Sequence, residues 1–278
     1  MAKKSKKQFK DSLRFIRKNY FLTIFISILV FAGIILIVRK LYTPSSFFYA
    51  KIEVSYPASY FSKPDIWMVR SLNQDEKQYN ILGSTEAELL GARYYPNTDG
   101  TSFNIFLTVR LAGSFNKNNN EYTFQRSQIG VGSPITLNFS STQLYGTVID
   151  LSPSLFKDKY AEKTITLVAR GAYYKDDPTL YNSIRIGDNY FDGRSYVFQI
   201  TGKKLENNIF AVVNNFTGQV TEGQTDATQN IVVKANILVL EKDNQLVFAG
   251  DQILHVGDKF VFSTSNFSFD GFTITSIN

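Results

Sequence analysis

The chain has 278 residues, 44% hydrophobic and only 19% charged, which excludes a disordered polypeptide and allows one or two globular units. It contains no Cys and one His, so disulfide frameworks, thiolate or His-cluster metal sites and cysteine nucleophiles are excluded, and neither a cofactor nor a metal is expected. The net charge of +6 is local: residues 1–20 carry Lys3, Lys4, Lys6, Lys7, Lys10, Arg14, Arg17 and Lys18 against Asp11, whereas residues 41–278 hold 20 basic and 23 acidic side chains, a net −3. That mildly acidic body is not expected to bind nucleic acid.

Residues 1–20 read as a basic cytoplasmic arm, in which Phe9, Leu13, Ile16 and Tyr20 share one helical face while the eight cations are candidates for inner-leaflet contact. Residues 21–38 form an uncharged apolar run near the length that spans a bilayer, flanked by Tyr20, Arg39, Lys40 and Tyr42. The excess of cations before the run predicts a single-pass signal anchor in membrane lipid, with a cytoplasmic N-terminus and an extracytoplasmic remainder. The run is too long for a cleaved signal peptide, and no small-residue cleavage site follows it. Thr23 and Ser27 alone do not specify dimerisation, so the oligomeric state stays open. Residues 39–50 read as a juxtamembrane linker.

Beyond it, the 16 Tyr, 24 Phe and 1 Trp of the chain favour pleated, half-buried surfaces, and alternating runs predict a mainly β region over 51–278. Strands are expected at 51–56, 88–95, 104–112, 134–139, 146–151, 164–174, 196–201, 209–213, 231–241, 259–262 and 272–277. One short helix is expected at 64–72, with Trp67 as a core anchor. The strands recur in quasi-repeated units near residues 51, 104, 164 and 230, each a strand, a loop, a Gly turn and a returning strand. Gly132 and Gly146 are separated like Gly257 and Gly271, and Gly187 belongs to a third unit; all five read as structural turn glycines rather than a phosphate cradle, because each turn opens a strand. The units imply a β-barrel or β-sandwich, with two lobes possible at 51–151 and 164–278. Polar stretches 116–121 and 218–230 read as mobile loops.

The segments IEVSYP, IWMVRSLNQDEK, GSTEAELLGARYYP, QIGVGSPITL, GTVIDLS and IRIGDNYFDG, after the apolar run, resemble an uncharacterised family of bacterial single-pass membrane-anchored proteins with a β-rich extracytoplasmic domain of unknown function. The resemblance implies a location and supplies no catalytic residue.

Catalytic constellations are sparse. Asp176, Asp177, Asp188 and Asp192 form the densest acidic group, but their spacing fits no calcium loop, and they read as turn carboxylates. His255 has no partner for a triad and reads as a strand residue; Glu86 with Glu88 or Asp99 are candidates for a carboxylate pair, whose separation the sequence does not give. Asn138, Asn215 and Asn266 head glycosylation-type sequons whose Phe residues are expected to point inward. The expected function is therefore non-enzymatic: a membrane-anchored scaffold or binding protein of the bacterial envelope whose partner is an envelope protein or the cell wall. An export-system adaptor and a lipid or glycan carrier with an apolar groove are the alternatives.

Overall fold

The computed structural model describes residues 20–42, 46–55, 64–97, 102–213 and 217–278. The chain forms two compact units, Met1–Ser45 and Ser46–Asn278.

In the first unit, helix α1 (Tyr20–Tyr42) follows directly from the uncharged apolar run. Ile28, Leu29, Val30 and Phe31 are each more than half exposed. Four consecutive residues point to every side of a helix, so α1 presents apolar surface all round. Among the described residues, no helix is long and apolar enough to cross a membrane. Lys3, Lys4, Lys6, Lys7, Lys10, Arg14, Arg17 and Lys18 lie outside the described residues.

The second unit is mainly β and holds two curled antiparallel sheets. The first contains β1 (Phe47–Ser55), β2 (Lys77–Tyr79), β3 (Thr85–Pro96), β4 (Phe103–Asn116), β5 (Glu121–Phe124), β6 (Ser127–Ile129), β7 (Pro134–Asn138) and β8 (Gln143–Ser152). The second contains β9 (Tyr160–Tyr174), β10 (Asn189–Phe191), β11 (Tyr196–Val213), β12 (Val220–Lys242), β13 (Gln245–Phe248), β14 (Gln252–Ile253), β15 (Lys259–Phe260) and β16 (Phe272–Ile277). The orders are β2-β3-β4-β1-β8-β7 and β10-β11-β12-β9-β16-β15, so adding eight to each strand number converts one sheet into the other. The side branches obey the same rule, since β5 and β6 extend from β4 as β13 and β14 extend from β12. A short helix also occupies the same place in each half: α2 (Ile66–Ser71) between β1 and β2, and α3 (Thr179–Ser183) between β9 and β10. The repeating unit is thus a lobe of eight strands, and the two lobes form two curled sheets rather than one barrel.

Strand periodicity builds a core inside each lobe. Along β1, Phe48, Ala50, Ile52 and Val54 are buried while the residues between them are not, as period-two alternation demands of a sheet with one covered face. The same register buries Ile105, Leu107, Val109 and Leu111 on β4, and Ile231, Val233, Ala235, Ile237 and Val239 on β12. The second lobe adds a Phe cluster in which Phe198, Phe248, Phe260, Phe262 and Phe269 meet at centroid separations of 5.0–6.1 Å.

One turn recurs four times and explains most of the sequence repeat. Gly132 (φ 87°) donates to Val148 O at 2.7 Å, and Val148 donates back to Ser133 O at 3.0 Å. Gly187 with Ile200 and Gly257 with Ile274 make the same reciprocal pair at 2.7–2.9 Å, both with positive φ. In the first copy of the repeat, Asp75 (φ 67°) replaces glycine, its N–H donating to Leu89 O at 2.9 Å. A positive φ at the third turn residue is the requirement of a type II turn, which glycine meets without strain and Asp tolerates.

The equal glycine spacing, however, misleads by one residue. Gly271 (φ 90°) does occupy a turn before β16, but Gly146 lies inside β8, paired with Ile135, and its counterpart is Phe272, paired with Phe260. Gly146 is required by close approach instead: a Cβ there would lie 2.5 Å from Ile52 Cγ2 and 2.6 Å from Glu53 O on the neighbouring strand.

Other expectations also need correction. The β unit begins at β1, inside the stretch read as linker, because Phe48 and Ala50 are core residues. Trp67 on α2 is 57% exposed, with Nε1 donating to Asp65 at 3.2 Å, while Met68 takes the buried position. Most of 218–230 belongs to β12, whose polar residues pair with β11 from Asn207↔Gln229 onward: backbone pairing needs no apolar periodicity.

Candidate functional site

The two lobes meet across a cleft of about 590 Å³, lined by β1, β3, β4 and β8 of the first, β9, the β10–β11 turn, β12 and β13 with the residues after it of the second, and the segment between β8 and β9. One buried carboxylate pins the lobes together. Asp192, fully buried in the turn between β10 and β11, accepts the backbone N–H groups of Arg194 and Ser195 on Oδ1, both at 2.9 Å. Its Oδ2 receives the Arg93 guanidinium and, at 3.0 Å, the Tyr95 hydroxyl, both from β3 of the other lobe. Arg93 also donates to Ser195 Oγ at 3.0 Å and lies over the Tyr160 ring, 4.6 Å from its centroid. Four donors thus converge on one desolvated carboxylate, the condition under which a buried ion pair is tolerated.

The surroundings follow this charge. Burial, and then the Asp192 charge, push the Tyr95 phenol well above its ordinary value; burial, followed by Tyr94 and Asp192, does the same to Tyr190, whose hydroxyl donates to Tyr94 O at 3.0 Å. Two glycines permit the close approach. A Cβ on Gly193 would lie 2.6 Å from Tyr94 Cε1, and one on Gly250 2.7 Å from Phe106 Cζ.

Around this pin the cleft is aromatic and apolar. Phe106 and Thr108 are outward residues of β4, alternating with buried Ile105, Leu107 and Val109, and Leu238 and Leu240 are outward on β12, alternating with buried Ile237 and Val239. Lys51 reaches Asp158 at 2.6 Å and lies 4.7 Å from the Phe156 ring centroid. Arg194 rests on the first lobe at Gly91, where a Cβ would stand 3.1 Å from Nη1 and 3.3 Å from Cζ.

The residues singled out from sequence lie elsewhere or do other work. Asp188 accepts Thr264 Oγ1 at 2.7 Å and Asn266 Nδ2 at 2.8 Å, and Asp177 accepts the Thr179 N–H at 3.1 Å, so the acidic group is divided among separate roles. No group of three or more potential metal ligands occurs among the described residues. His255 lies in the turn before Gly257, not on a strand, with Nδ1 at 3.0 Å from Asp258 Oδ2. Glu88 is paired with Lys77 and Arg110, Glu86 accepts the amides of Gln78 and Gln125, and Asp99 lies outside the described residues. Of the sequon residues, Asn138 ends β7 and Asn266 holds Asp188, with Phe139 and Phe267 buried beside them; Asn215 lies outside the described residues. Gly132, Gly187, Gly257 and Gly271 are turn residues outside the cleft lining.

Sequence reasoning missed Arg93, Tyr95, Tyr160, Asp192 as a pin, and Arg194. The legible signal was local, an Arg inside the apolar strand LLGARYYP and a carboxylate followed by Gly-Arg-Ser; nothing in the spacing joins residues 99 positions apart. Comparison of the chain with protein-family models, curated proteins and solved structures gives no match.

Proposed function

We propose that the chain is a membrane-anchored, non-enzymatic binding or scaffold protein of the bacterial envelope, with α1 in the bilayer, the N-terminus cytoplasmic and the two-lobed β unit extracytoplasmic. The observation that carries the binding role is the cleft between lobes, whose apolar and aromatic walls sit on the outward faces of two sheets that already bury their own cores. The anchor is supported by the uncharged run over 21–38, the apolar surface of α1 on every side, and the eight cations that precede it. In water such a helix would expose a continuous apolar surface, which bilayer lipid covers.

Topology is tested cleanly because the chain has no native Cys. Ser5→Cys and Asn118→Cys variants are treated with a membrane-impermeant maleimide on intact cells or spheroplasts; Asn118→Cys is expected to label and Ser5→Cys only after lysis, and the reverse pattern refutes the orientation. The binding role is tested by crosslinking the full chain in membranes beside a control lacking 46–278. Enrichment of an envelope protein, wall polymer or lipid by the β unit is expected, and identical recoveries refute the role.

A further inference from the structure

We infer that the interlobe cleft binds an amphiphile with an anionic head, a carboxylate or phosphate carried on an acyl chain, with Arg194 taking the head and the apposed sheet faces taking the chain. This rests on reading the cleft as the binding site of the anchored protein.

Charge selects the head. Three cations line the cleft, but Lys51 is neutralised by Asp158 and Arg93 by Asp192. Arg194 has no ion-pair partner among the described residues, although it stands two positions from a buried carboxylate. Asp192 is occupied by four donors and takes only the Arg194 backbone N–H, so the guanidinium remains available. Gly91 seats it, since the bare backbone lets Nη1 and Cζ lie where a side chain would stand. A planar guanidinium held against a surface is suited to two-point binding of a carboxylate or phosphate. The hydroxyl of Ser195, which already accepts from Arg93, adds a second donor on the same wall.

Shape and polarity select the tail. Outward positions of a sheet that faces water are ordinarily polar, yet at this cleft they hold Phe106, Ile149, Leu238 and Leu240. Leu155 remains 54% exposed at its rim. A volume of about 590 Å³ is that of a small-molecule site.

The same features exclude other occupants. Where they line the cleft, β1 and β4 are paired on both sides, while β3 beyond Glu88 pairs only with β4 and gives its outer edge at the Tyr94 N–H to Asp192 O, so an extended peptide has little edge to join. One unpaired cation beside the Asp158 carboxylate does not suit a polyanion, and apolar walls do not suit a glycan.

The test uses the full chain in lipid nanodiscs with diazirine-bearing dodecanoate and dodecyl phosphate, the crosslinks being mapped by peptide mass spectrometry so that partition into bilayer is separated from binding. Labelling is expected at residues 155–156 and 238–240, competed by either unlabelled anion; the stronger competitor distinguishes a fatty-acid head from a phospholipid-type head. An uncharged dodecanol probe is expected to label these peptides weakly. Arg194→Ala is expected to reduce the labelling about tenfold, the worth of one charge-assisted contact, and Arg194→Lys to restore part of it. Arg194 is an exposed side chain whose structural bond is made by its backbone, so both variants are expected to melt with the parent. Labelling confined to 20–42, or cleft labelling unchanged by Arg194→Ala, overturns the inference. If the cleft takes no amphiphile while the β unit still retrieves a protein, this inference fails alone; if Asn118→Cys proves cytoplasmic, the proposed orientation fails while the cleft labelling still decides this inference.

Discussion

Replacing Asp192 by Ala removes the carboxylate that joins the lobes and leaves four donors without it: the Arg93 guanidinium, the Tyr95 hydroxyl, and the N–H groups of Arg194 and Ser195. The Arg93 side chain is only 17% exposed, so its charge is not returned to water by the change. Breaking a buried pair by removing one partner costs about 3–5 kcal/mol, and the Tyr160 ring beneath Arg93 recovers only part of that. For a unit of this size the loss corresponds to a fall in Tm of roughly 6–20 °C. Asp192→Asn keeps one carbonyl oxygen for the two turn N–H groups while losing the charge, and is expected to cost about 2 kcal/mol. Thermal melts and urea unfolding of the full chain provide the measurement. Coupling is read from the cycle with Arg93→Met: the double variant is expected to be more stable than Asp192→Ala alone, because no unpaired cation remains. A loss below about 1 kcal/mol for Asp192→Ala, or strict additivity in the cycle, would refute the role of this carboxylate as the pin between the lobes.

Alkaline titration gives a second prediction. Tyr95 and Tyr190 are pushed up in the folded state by burial, so an unfolded phenol releases its proton at about pH 10 while the folded one keeps it. Their stabilisation is therefore fully present below pH 10 and is lost as the pH rises above it, by up to about 1.4 kcal/mol per pH unit for each tyrosine. Urea midpoints from pH 8 to 11 check this, Tyr95→Phe should flatten the slope, and equal slopes for parent and variant contradict it. Gly146→Ala is expected to cost about 1–3 kcal/mol by overpacking against Ile52 and Glu53 O, and wild-type stability would contradict the close approach of β1 and β8. Ala at Gly132, Gly187 or Gly257 meets open space but must adopt positive φ, at about 1–2 kcal/mol each, whereas Asp, already present as Asp75, should cost less. If Ala and Asp variants melt alike, the conformational explanation of these turns fails.

Strand character was written in the sequence because it depends on near neighbours. Alternation over 104–112 marked β4, the aromatic excess marked a β protein, and the Gly turns marked where strands return. Short strands such as β2, β6, β10 and β14 were not legible, since two or three residues make no period and are held by the ladder they join. For the same reason, polar residues of β12 resembled a loop. The repeat was legible as units, but its true period, a lobe of eight strands, appears only when pairing partners are known. Gly146 shows the limit: equal spacing put it in a turn, whereas strand register puts it under Ile52. The cleft belongs wholly to tertiary structure. Arg93 and Asp192 each look like ordinary polar residues in their own segments, and Gly91 becomes a seat only because Arg194 of the other lobe reaches it. Local chemistry thus determined by itself where the chain is apolar, where it turns and where its charge collects. Folding decided which charges cancel, and so which one remains at the cleft, because neutralisation acts through space between residues that the sequence holds far apart.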